Sequence, residues 1–427
     1  MREMKDSGIE WVGQIPKGWD VVPHKRIMHK VKKICEQYSG EDIISLTMNG
    51  VIKRDLTAGG KMPTSFDGYQ YVKPNDLLLC LFDIDVTPRC VGVVKDYGVT
   101  SPAYSRFVMH DGYYNVYYDY LLRAIDDDKV FVHLSKNLRS SLTESDFGVI
   151  KTCVPSLAEQ KRIVTFLDAQ CAEIDAVLEK TRASIEEYKK LKQAVITQAV
   201  TKGIRGDRPM KDSGIEWIGD IPAEWEIRKI FRAINKVGDI DHYMPDSVDD
   251  GIPYLMTGDL QEKLSDVNLK RCKKVSFQDC EMLSSKIRVS KGDVIFARYA
   301  TIGTVCFVDT EDNILVSYAC LIIKPNSSLL YGEFLFYYLK STAFLEEIKQ
   351  YIKANTQANV GLDSVSKAKI ALPSVHEQQK IVEYLRDKCK KIDALIAKKQ
   401  QYLTEIENYK KSLIYEYVTG KKEVHPL

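Results

Sequence analysis

The sequence predicts an α+β protein in which two mixed α/β domains are joined by two long antiparallel helices that form a coiled coil. Two observations predict this fold: an internal tandem repeat that covers most of the 427 residues, and a long stretch without proline or glycine at the end of each copy. Two copies in one chain give pseudo-twofold symmetry. The predicted boundaries are 1–155 for the first domain, 156–203 for the first long helix, 204–373 for the second domain, 374–420 for the second long helix and 421–427 for a tail.

Two pairs of matching segments define the repeat. Residues 4–19 read MKDSGIEWVGQIPKGW and residues 210–225 read MKDSGIEWIGDIPAEW, at an offset of 206. The second pair begins with PSLAEQKRIV at Pro155 and PSVHEQQKIV at Pro373, at an offset of 218. This unit is much longer than the repeats of solenoid proteins. Between the matched segments the copies have diverged, which predicts two different recognition modules on one shared frame.

The second pair of segments begins the two long helices. Ser156 with Glu159, and Ser374 with Glu377, have the spacing of a capping box, and each serine follows a proline. Proline and glycine are then absent for about 44 residues in each copy, which corresponds to a helix of roughly 66 Å.

Apolar residues at heptad spacing predict that the two helices pair, and the connectivity makes such a pair antiparallel. In the second helix the predicted register places Ile392, Lys399, Ile406 and Leu413 at a, and Leu395, Tyr402 and Tyr409 at d. The predicted helix-pair core consists of Ile174, Val177, Leu178, Ile185, Tyr188, Leu191, Ile392, Leu395, Ile396, Leu403, Ile406, Tyr409 and Leu413. The alternative, in which each helix packs only on its own domain, stays open at this point.

The diverged interiors predict strands, turns and a helical stretch in each copy. The predicted strands are 77–82, 91–94, 294–297 and 304–308, and the predicted helices are 117–125 and 332–351. YVKPNDLLLC at 71–80 aligns with RVSKGDVIFA at 288–297. Together these elements predict a mixed α/β domain with a curved sheet.

Composition and motifs argue against several classes of protein. No window approaches ~18 consecutive apolar residues, so no membrane-spanning segment is expected, and the polar first residues predict no secretory signal. The ten cysteines form no C-x-x-C pair and are expected to be buried thiols of a cytoplasmic protein. The phosphate-loop, G-x-S-x-G and H-E-x-x-H motifs are absent, so neither a catalytic site nor a metal site is predicted.

Basic and polar loop residues in both interiors predict contact with double-stranded DNA, because Arg, Lys, Asn and Gln pair with base edges and the cations neutralise phosphates. The candidates in the first domain are Lys53, Arg54, Lys61, Arg89, Tyr104, Arg106, Lys136, Asn137 and Arg139. Those in the second domain are Lys270, Arg271, Lys273, Lys274, Arg298, Tyr299, Thr301, Lys353, Asn355 and Gln357. For each residue alone, a solvated surface is the alternative. The net charge of +2 predicts that the chain alone binds DNA weakly.

The M-K-D-S-G-I-E-W segments, the P-S-x-x-E-Q-x-x-I-V boxes and the exit A-V-T-K-G at 199–203 resemble the specificity subunit of type I restriction–modification systems. The resemblance covers essentially the whole chain. It implies that each domain is a target recognition domain for one half of a bipartite DNA sequence, and that the helices set the unread spacer. The second helix departs slightly from the pattern, with V-T-G-K at 418–421.

The resemblance also implies partners for a non-catalytic chain. Methyltransferase subunits and a restriction–translocase subunit would carry the chemistry of S-adenosylmethionine, ATP and Mg, so no cofactor is expected here. The predicted docking residues are Glu159, Gln160, Arg162, Glu377, Gln378 and Lys380, and solvated charge beside the helix dipole is the alternative reading. Two other functions remain open: a duplicated coiled-coil adaptor that binds only protein, and a methyltransferase–nuclease fusion.

Overall fold

The structure is a computed structural model that describes residues 2–57, 63–87, 89–127, 129–135, 140–299, 301–351 and 359–424. The chain divides into two compact units. Unit 1 consists of residues 1–182 and 401–427, and unit 2 consists of residues 183–400. Each unit therefore contains one globular domain together with a part of each long helix.

The strands of unit 1 are β1 (Met4–Asp6), β2 (Gln14–Pro16), β3 (Asp20–Pro23), β4 (Met28–Lys30), β5 (Ile44–Thr47), β6 (Gly50–Lys53), β7 (Gln70–Val72), β8 (Leu77–Leu79), β9 (Val91–Val93), β10 (Gly98–Thr100), β11 (Ser105–Met109) and β12 (Lys151–Val154). The strands of unit 2 are β13 (Met210–Asp212), β14 (Asp220–Pro222), β15 (Glu226–Lys229), β16 (Ile234–Gly238), β17 (Ile252–Leu255), β18 (Lys273–Val275), β19 (Val294–Ala297), β20 (Val305–Phe307), β21 (Leu315–Val316), β22 (Cys320–Pro325) and β23 (Lys369–Leu372). The α-helices are α1 (Asn115–Asp127), α2 (Val130–Leu134), α3 (Glu144–Val149), α4 (Leu157–Lys202), α5 (Phe277–Leu283), α6 (Gly332–Lys340), α7 (Thr342–Lys349), α8 (Leu362–Lys367) and α9 (Val375–Val418).

Each unit is built around a four-stranded antiparallel sheet with the same strand order. The order is β4-β11-β8-β9 in unit 1 and β16-β22-β19-β20 in unit 2. Strands β8 and β19 occupy the same place in this order, and both are continuous buried apolar runs, as expected of strands covered on both faces. This equivalence confirms the alignment of 71–80 with 288–297.

The repeated segments 4–19 and 210–225 form equivalent hairpins, in which β1 pairs with β2 and β13 pairs with β14. Directly afterwards, β3 pairs with β12 in unit 1, and β15 pairs with β23 in unit 2. Because β12 and β23 lead directly into α4 and α9, this pairing places the start of each domain beside the start of its long helix. Trp19 is buried in the hydrophobic core of unit 1, and Trp225 is buried in that of unit 2.

The predicted helical stretches are confirmed, with one difference. Helix α1 contains the predicted residues 117–125, whereas the stretch 332–351 forms two helices, α6 and α7. The break lies at Ser341, whose backbone is extended and whose hydroxyl accepts a hydrogen bond from the Phe344 N–H. A serine in this role caps the second helix, which is the reason why the chain does not continue as one.

In unit 1, the last part of α9 packs antiparallel against the first part of α4. The Lys410 Nζ lies 2.6 Å from Asp175 Oδ1, and the Arg182 guanidinium lies 2.6 Å from Glu407 Oε1. The partner number on α9 falls as the residue number on α4 rises, which is the signature of an antiparallel pair. The predicted pairing is therefore confirmed for this unit.

In unit 2, the last part of α4 and the first part of α9 pair in the same sense. The Lys192 Nζ lies 2.8 Å from Asp393 Oδ2, and the Lys399 Nζ lies 5.8 Å from the centre of the Tyr188 ring. Again the lower number on α4 is joined to the higher number on α9. Helix packing on a single domain, the alternative left open by the sequence, is thus excluded in both units.

The predicted heptad register needs a correction at its d positions. Val177, Leu191, Leu395, Tyr402 and Tyr409 are between 40% and 56% exposed, so they do not form the seam. The predicted core residues that are buried or half-buried are Ile174, Leu178, Ile185, Tyr188, Ile392, Ile396, Leu403, Ile406 and Leu413. The seam therefore keeps the predicted a positions and uses the position after each predicted d, such as Leu178 and Leu403. Sequence alone left this ambiguous because neighbouring positions are both apolar, and only helix rotation decides which of them faces the partner.

Candidate nucleic-acid interface

Trp19 joins the first hairpin of unit 1 to the first turn of α4. Its indole Nε1 donates to Glu159 Oε2 at 3.0 Å, and the Arg2 guanidinium pairs with the other carboxylate oxygen while lying 5.9 Å from the indole centre. The hydroxyl of Ser156 accepts from the Glu159 N–H at 3.3 Å, so the serine half of the predicted capping box forms. The reciprocal half does not form, because the carboxylate is used by a stronger set of donors.

The same arrangement occurs in unit 2. Trp225 Nε1 donates to Glu377 Oε2 at 3.1 Å, and Arg208 pairs with Glu377 Oε1 at 2.6 Å, with its guanidinium 5.4 Å from the indole centre. Arg208 and its equivalent Arg2 are not among the predicted site residues, because they precede the first matched segments. They keep the offset of 206, so extending the alignment upstream would have found them.

Gln160 and Gln378 fix the start of each long helix to its domain from the inside. Gln160 accepts from the Tyr114 N–H at 2.8 Å and donates to the Pro155 carbonyl at 2.9 Å. Gln378 accepts from the Tyr331 N–H at 2.7 Å and donates to two carbonyls. Both side chains are fully buried, which contradicts the predicted docking role of these glutamines. A buried amide with its groups already paired is not available to a partner.

The other predicted docking residues divide into two kinds. The carboxylates of Glu159 and Glu377 are only 13% and 16% exposed and serve the contacts to tryptophan and arginine. Arg162 and Lys380, in contrast, are exposed at equivalent places in the second turns of α4 and α9. Only these two cations of the predicted docking set present a free surface.

Arg106 belongs to the core rather than to a DNA-binding surface, which corrects its prediction as a contact residue. Its Nε donates to Asp76 Oδ2 at 2.6 Å, and both residues are buried. Unit 2 contains the equivalent pair, with Lys324 Nζ at 2.6 Å from Asp293 Oδ2. Burial raises the pKa of the Asp293 carboxyl, and the bonds from Lys324 and from the Ser290 N–H oppose that rise.

Arg89 braces a hairpin of unit 1 and is largely enclosed. Its Nε donates to the Val91 carbonyl at 2.8 Å, and one terminal nitrogen donates to the Met48 carbonyl at 3.3 Å. The other lies 3.8 Å from Asp119 Oδ1, beside a cavity of about 520 Å³. Burial lowers the pKa of Arg89 and raises that of the Asp119 carboxyl. Arg89 therefore supports the exposed tip at Met48.

The other described candidates in unit 1 lie nearer to solvent. Lys53 is exposed and pairs with Asp42 at 2.7 Å, and Arg54, the next residue, is half-buried. Tyr104 packs against a small apolar cluster, and its burial raises the pKa of the phenol. Of the described candidates in unit 1, Lys53 is therefore the exposed one, with half-buried Arg54 beside it.

In unit 2, Lys270 and Arg271 are exposed, and Thr301 is exposed in the turn after β19. Arg298 is only 12% exposed, pairs with Asp239 at 2.5 Å and lies 4.9 Å from the centre of the Tyr299 ring.

Lys273 and Lys274 are half-buried and donate to backbone carbonyls of the segment 239–250. Among the described candidate cations of this domain, the exposed Lys270 and Arg271 therefore precede β18, whereas Lys273, Lys274 and Arg298 are already engaged. Seven predicted residues lie outside the described part of the chain: Lys61, Lys136, Asn137, Arg139, Lys353, Asn355 and Gln357.

A buried histidine in unit 1 has no counterpart in unit 2. His24 is fully buried beside a cavity of about 610 Å³, with its ring 4.5 Å from that of Phe147. Neither nitrogen has a hydrogen bond of normal geometry, although the Phe147 backbone is close enough to favour protonation slightly. Burial lowers the pKa of His24 to about 4, so the imidazole is neutral at pH 7. Ile230, also fully buried, occupies the equivalent position in unit 2.

All ten cysteines are free and buried, as expected. Among the described residues, no cluster of three or more His, Cys, Asp or Glu side chains could hold a metal ion, and no helix is long and apolar enough to cross a membrane.

Comparison with known proteins finds similarity to one family. The family model described as type I restriction modification DNA specificity domain matches residues 222–408. The specificity subunit of the EcoBI type I restriction enzyme of Escherichia coli is 23% identical over 275 residues, which cover 63% of this chain and 57% of that protein. A relative in Methanocaldococcus jannaschii, assigned to the MjaX type I restriction enzyme as its specificity subunit, is 24% identical and is matched over 97% of this chain and 96% of its own length.

A solved structure confirms the fold over the whole chain. A chain from a study of complex assembly and conformational transition of the type I R-M system superimposes with a TM-score of 0.70 at 15% identity. The match covers 96% of the present chain and 99% of the other one.

Proposed function

This chain belongs to the family of type I restriction–modification specificity subunits, and from that premise we propose that its two globular domains each read one half of a bipartite DNA sequence. The observation that carries the proposal is that the two units share one framework but differ in the loops around it. The hairpins, the tryptophan–glutamate contacts and the four-stranded sheets are equivalent in both units, whereas the loops around them differ in sequence and length.

Such a pair of domains suits two different half-sites. Direct readout needs Arg, Lys, Asn or Gln at different places for each base sequence, while the frame that presents them can stay constant. Exposed Lys53 with half-buried Arg54 in unit 1, and exposed Lys270 and Arg271 in unit 2, are the candidate cations that support DNA contact. We propose them as first points of contact with phosphates and bases.

The long helices are proposed to set the unread spacer between the half-sites. Helix α4 has 46 residues and α9 has 44, which corresponds to roughly 69 and 66 Å of continuous helix. Both helices contribute residues to unit 1 and to unit 2, and this sharing supports the proposal that their length sets the spacer.

We further propose that the chain is non-catalytic and acts in the cytoplasm with methyltransferase subunits and a restriction–translocase subunit. The chemistry of S-adenosylmethionine, ATP and Mg would belong to those partners. Arg162 and Lys380, exposed in the second turns of α4 and α9, are the proposed docking contacts. Their equivalent positions would suit two copies of the same partner.

Selection from a random duplex pool tests the proposal. The full chain, alone and with its methyltransferase partner, is incubated with the pool, and bound duplexes are sequenced. We expect a two-part motif with a fixed spacer, enriched more strongly when the partner is present. No enrichment in either arm would favour the protein-only adaptor.

Two further measurements separate the remaining alternatives. Calorimetric titration of the isolated chain with S-adenosylmethionine is expected to show no binding, and a saturable signal would favour a methyltransferase–nuclease fusion. Insertion of one heptad into each long helix is expected to lengthen the selected spacer and to leave both half-sites unchanged. An unchanged spacer would contradict the proposed role of the helices.

A further inference from the structure

The segment between β16 and β17 in unit 2 has an unusual composition for a DNA-binding domain. Residues 239–250 read DIDHYMPDSVDD, with five aspartates and neither lysine nor arginine. We call these residues the acidic segment. The side chains of Asp241, Asp246, Asp249 and Asp250 are exposed. Carboxylates at such a surface repel DNA phosphates within about a Debye length, ~10 Å at 0.1 M salt.

The acidic segment is held on the domain rather than extended into solvent. Ile240 and Pro245 are buried, and the His242 ring stacks on Tyr318 with 4.8 Å between ring centres. Directly after the segment, a Cβ on Gly251 would lie 2.2 Å from the Val275 carbonyl oxygen, so only glycine permits this close approach of the backbone to β18. The aspartates are therefore presented at a defined place.

The acidic segment lies against cations of the same domain. The ammonium of Lys273 donates to the Pro245 carbonyl, and that of Lys274 donates to the Asp249 carbonyl at 3.3 Å. Lys286 forms an ion pair with Asp241.

Arg298 adds a fourth contact, with its guanidinium 2.5 Å from Asp239 Oδ2. Three of these four cations, all except Lys286, are ones that the sequence suggested for DNA. The acidic segment therefore occupies donors that a phosphate backbone would otherwise use.

Unit 1 differs at the equivalent place. Residues 31–42, which follow β4, contain two lysines and three carboxylates, so the segment is close to neutral. Its ion pair with a candidate DNA-binding cation is the one between Asp42 and Lys53. The acidic segment is thus a property of unit 2 and not of the shared frame.

We propose that the acidic segment is a specificity determinant of the second domain, which competes with DNA phosphates for Lys273, Lys274 and Lys286 and so suppresses non-specific binding. The proposal rests on the proposed DNA-reading function. The ion pair of Lys286 with Asp241 and the hydrogen bonds of Lys273 and Lys274 lie near the surface and contribute little each, so a correct half-site, which adds base contacts, takes these lysines from the segment. A random sequence offers only phosphates and does not compensate for the lost contacts.

The test replaces four exposed aspartates, as Asp241→Asn, Asp246→Asn, Asp249→Asn and Asp250→Asn together. Asp239 is kept because its partner Arg298 is largely buried. Binding of the full chain to a random-sequence 30-base-pair duplex is measured by fluorescence anisotropy between 50 and 200 mM salt. We expect at least about tenfold tighter binding at the lowest salt and a steeper dependence of affinity on salt, because the variant loses four carboxylates that repel phosphates and Lys286 loses its ion pair with Asp241.

The matched control removes the same charge elsewhere on unit 2, as Glu216→Gln, Asp220→Asn, Glu311→Gln and Asp312→Asn. These four side chains are exposed, and no ion pair of theirs occurs within the described residues. Equal tightening in both variants would overturn the proposal, since net charge alone would then account for it. Unchanged affinity and salt dependence in the acidic-segment variant would overturn it as well.

Two outcomes separate this proposal from the function on which it rests. If neither the wild-type chain nor the variant binds any duplex, the DNA-reading function fails, and the segment's role fails with it. If both bind a selected two-part site but the variant keeps the wild-type ratio of specific to random affinity, only the segment's role is overturned. A fall in that ratio, together with faster hydrogen exchange of residues 239–251 on DNA binding, supports it.

Discussion

Units 1 and 2 place different side chains on equivalent backbone. The buried pair Asp76–Arg106 in unit 1 corresponds to Asp293–Lys324 in unit 2, and the buried His24 corresponds to Ile230. In contrast, the tryptophan–glutamate and glutamine contacts at the start of each long helix are the same in both units. The comparison indicates that the contacts attaching each long helix to its domain stay the same between the units. The buried side chains of the interior differ, while the strand order of the sheet is kept.

The largest loss of stability is expected when the contacts that attach each long helix to its domain are removed. Trp19→Ala and Trp225→Ala should each lower the free energy of unfolding of the unit concerned by about 3–5 kcal/mol, because each removes an enclosed indole and leaves one oxygen of a carboxylate without its donor. Hydrogen exchange measured peptide by peptide should show the loss in unit 1 for the first variant and in unit 2 for the second. A loss spread equally over both units by either variant would contradict the comparison.

The buried ion pairs should differ in importance. Asp76→Ala should cost about 3–5 kcal/mol, because it leaves Arg106 buried and unpaired. Asp293→Ala should cost less, because Lys324 is 24% exposed and can reach water, and because burial already raises the pKa of the Asp293 carboxyl. Denaturant unfolding of both variants checks this, and equal losses would show that the two pairs are equivalent.

His24 predicts a dependence on pH that is confined to unit 1. Its pKa of about 4 in the folded state lies below the value of 6.5 expected in the unfolded chain, so the unfolded state binds the extra proton first. Stability of unit 1 should therefore fall as the pH falls from about 6.5 to about 4, by up to roughly 3 kcal/mol.

His24→Ile, which installs the residue of unit 2, should remove this loss, and Ile230→His should create it in unit 2. The measurement is the unfolding midpoint of each variant across that pH range. A wild-type unit 1 whose stability does not change between pH 6.5 and 4 would contradict the burial of a neutral imidazole.

The smallest effect tests the register of the helix pair. Leu403→Ala should lower stability by about 1 kcal/mol, because Leu403 lies at the seam, whereas Tyr402→Ala should change it by less than about 0.5 kcal/mol. Thermal unfolding of the two variants compares neighbouring positions of the same helix. A larger loss of stability for Tyr402→Ala than for Leu403→Ala would support the register predicted from the sequence.

Much of the architecture could be predicted because it depends on local patterns. The duplication, the two long helices and their antiparallel pairing, and the strand at 77–79 follow from matched segments, from the absence of proline and glycine, and from apolar runs. The candidate site was less predictable. A basic residue such as Arg106 reads the same in a sequence whether it faces DNA or a buried aspartate, and only the neighbouring strands show which.

The sequence by itself determined the duplicated frame and the family resemblance, because both depend on residue order and spacing. Tertiary structure alone decided which cations are accessible, which neighbour of an apolar pair enters the seam, and that Glu159 binds Trp19 instead of closing its capping box. These outcomes depend on helix rotation and on contacts between residues far apart in the chain. The acidic segment belongs to the same class: its composition is plain in the sequence, but its contacts with the cations of unit 2 arise only on folding.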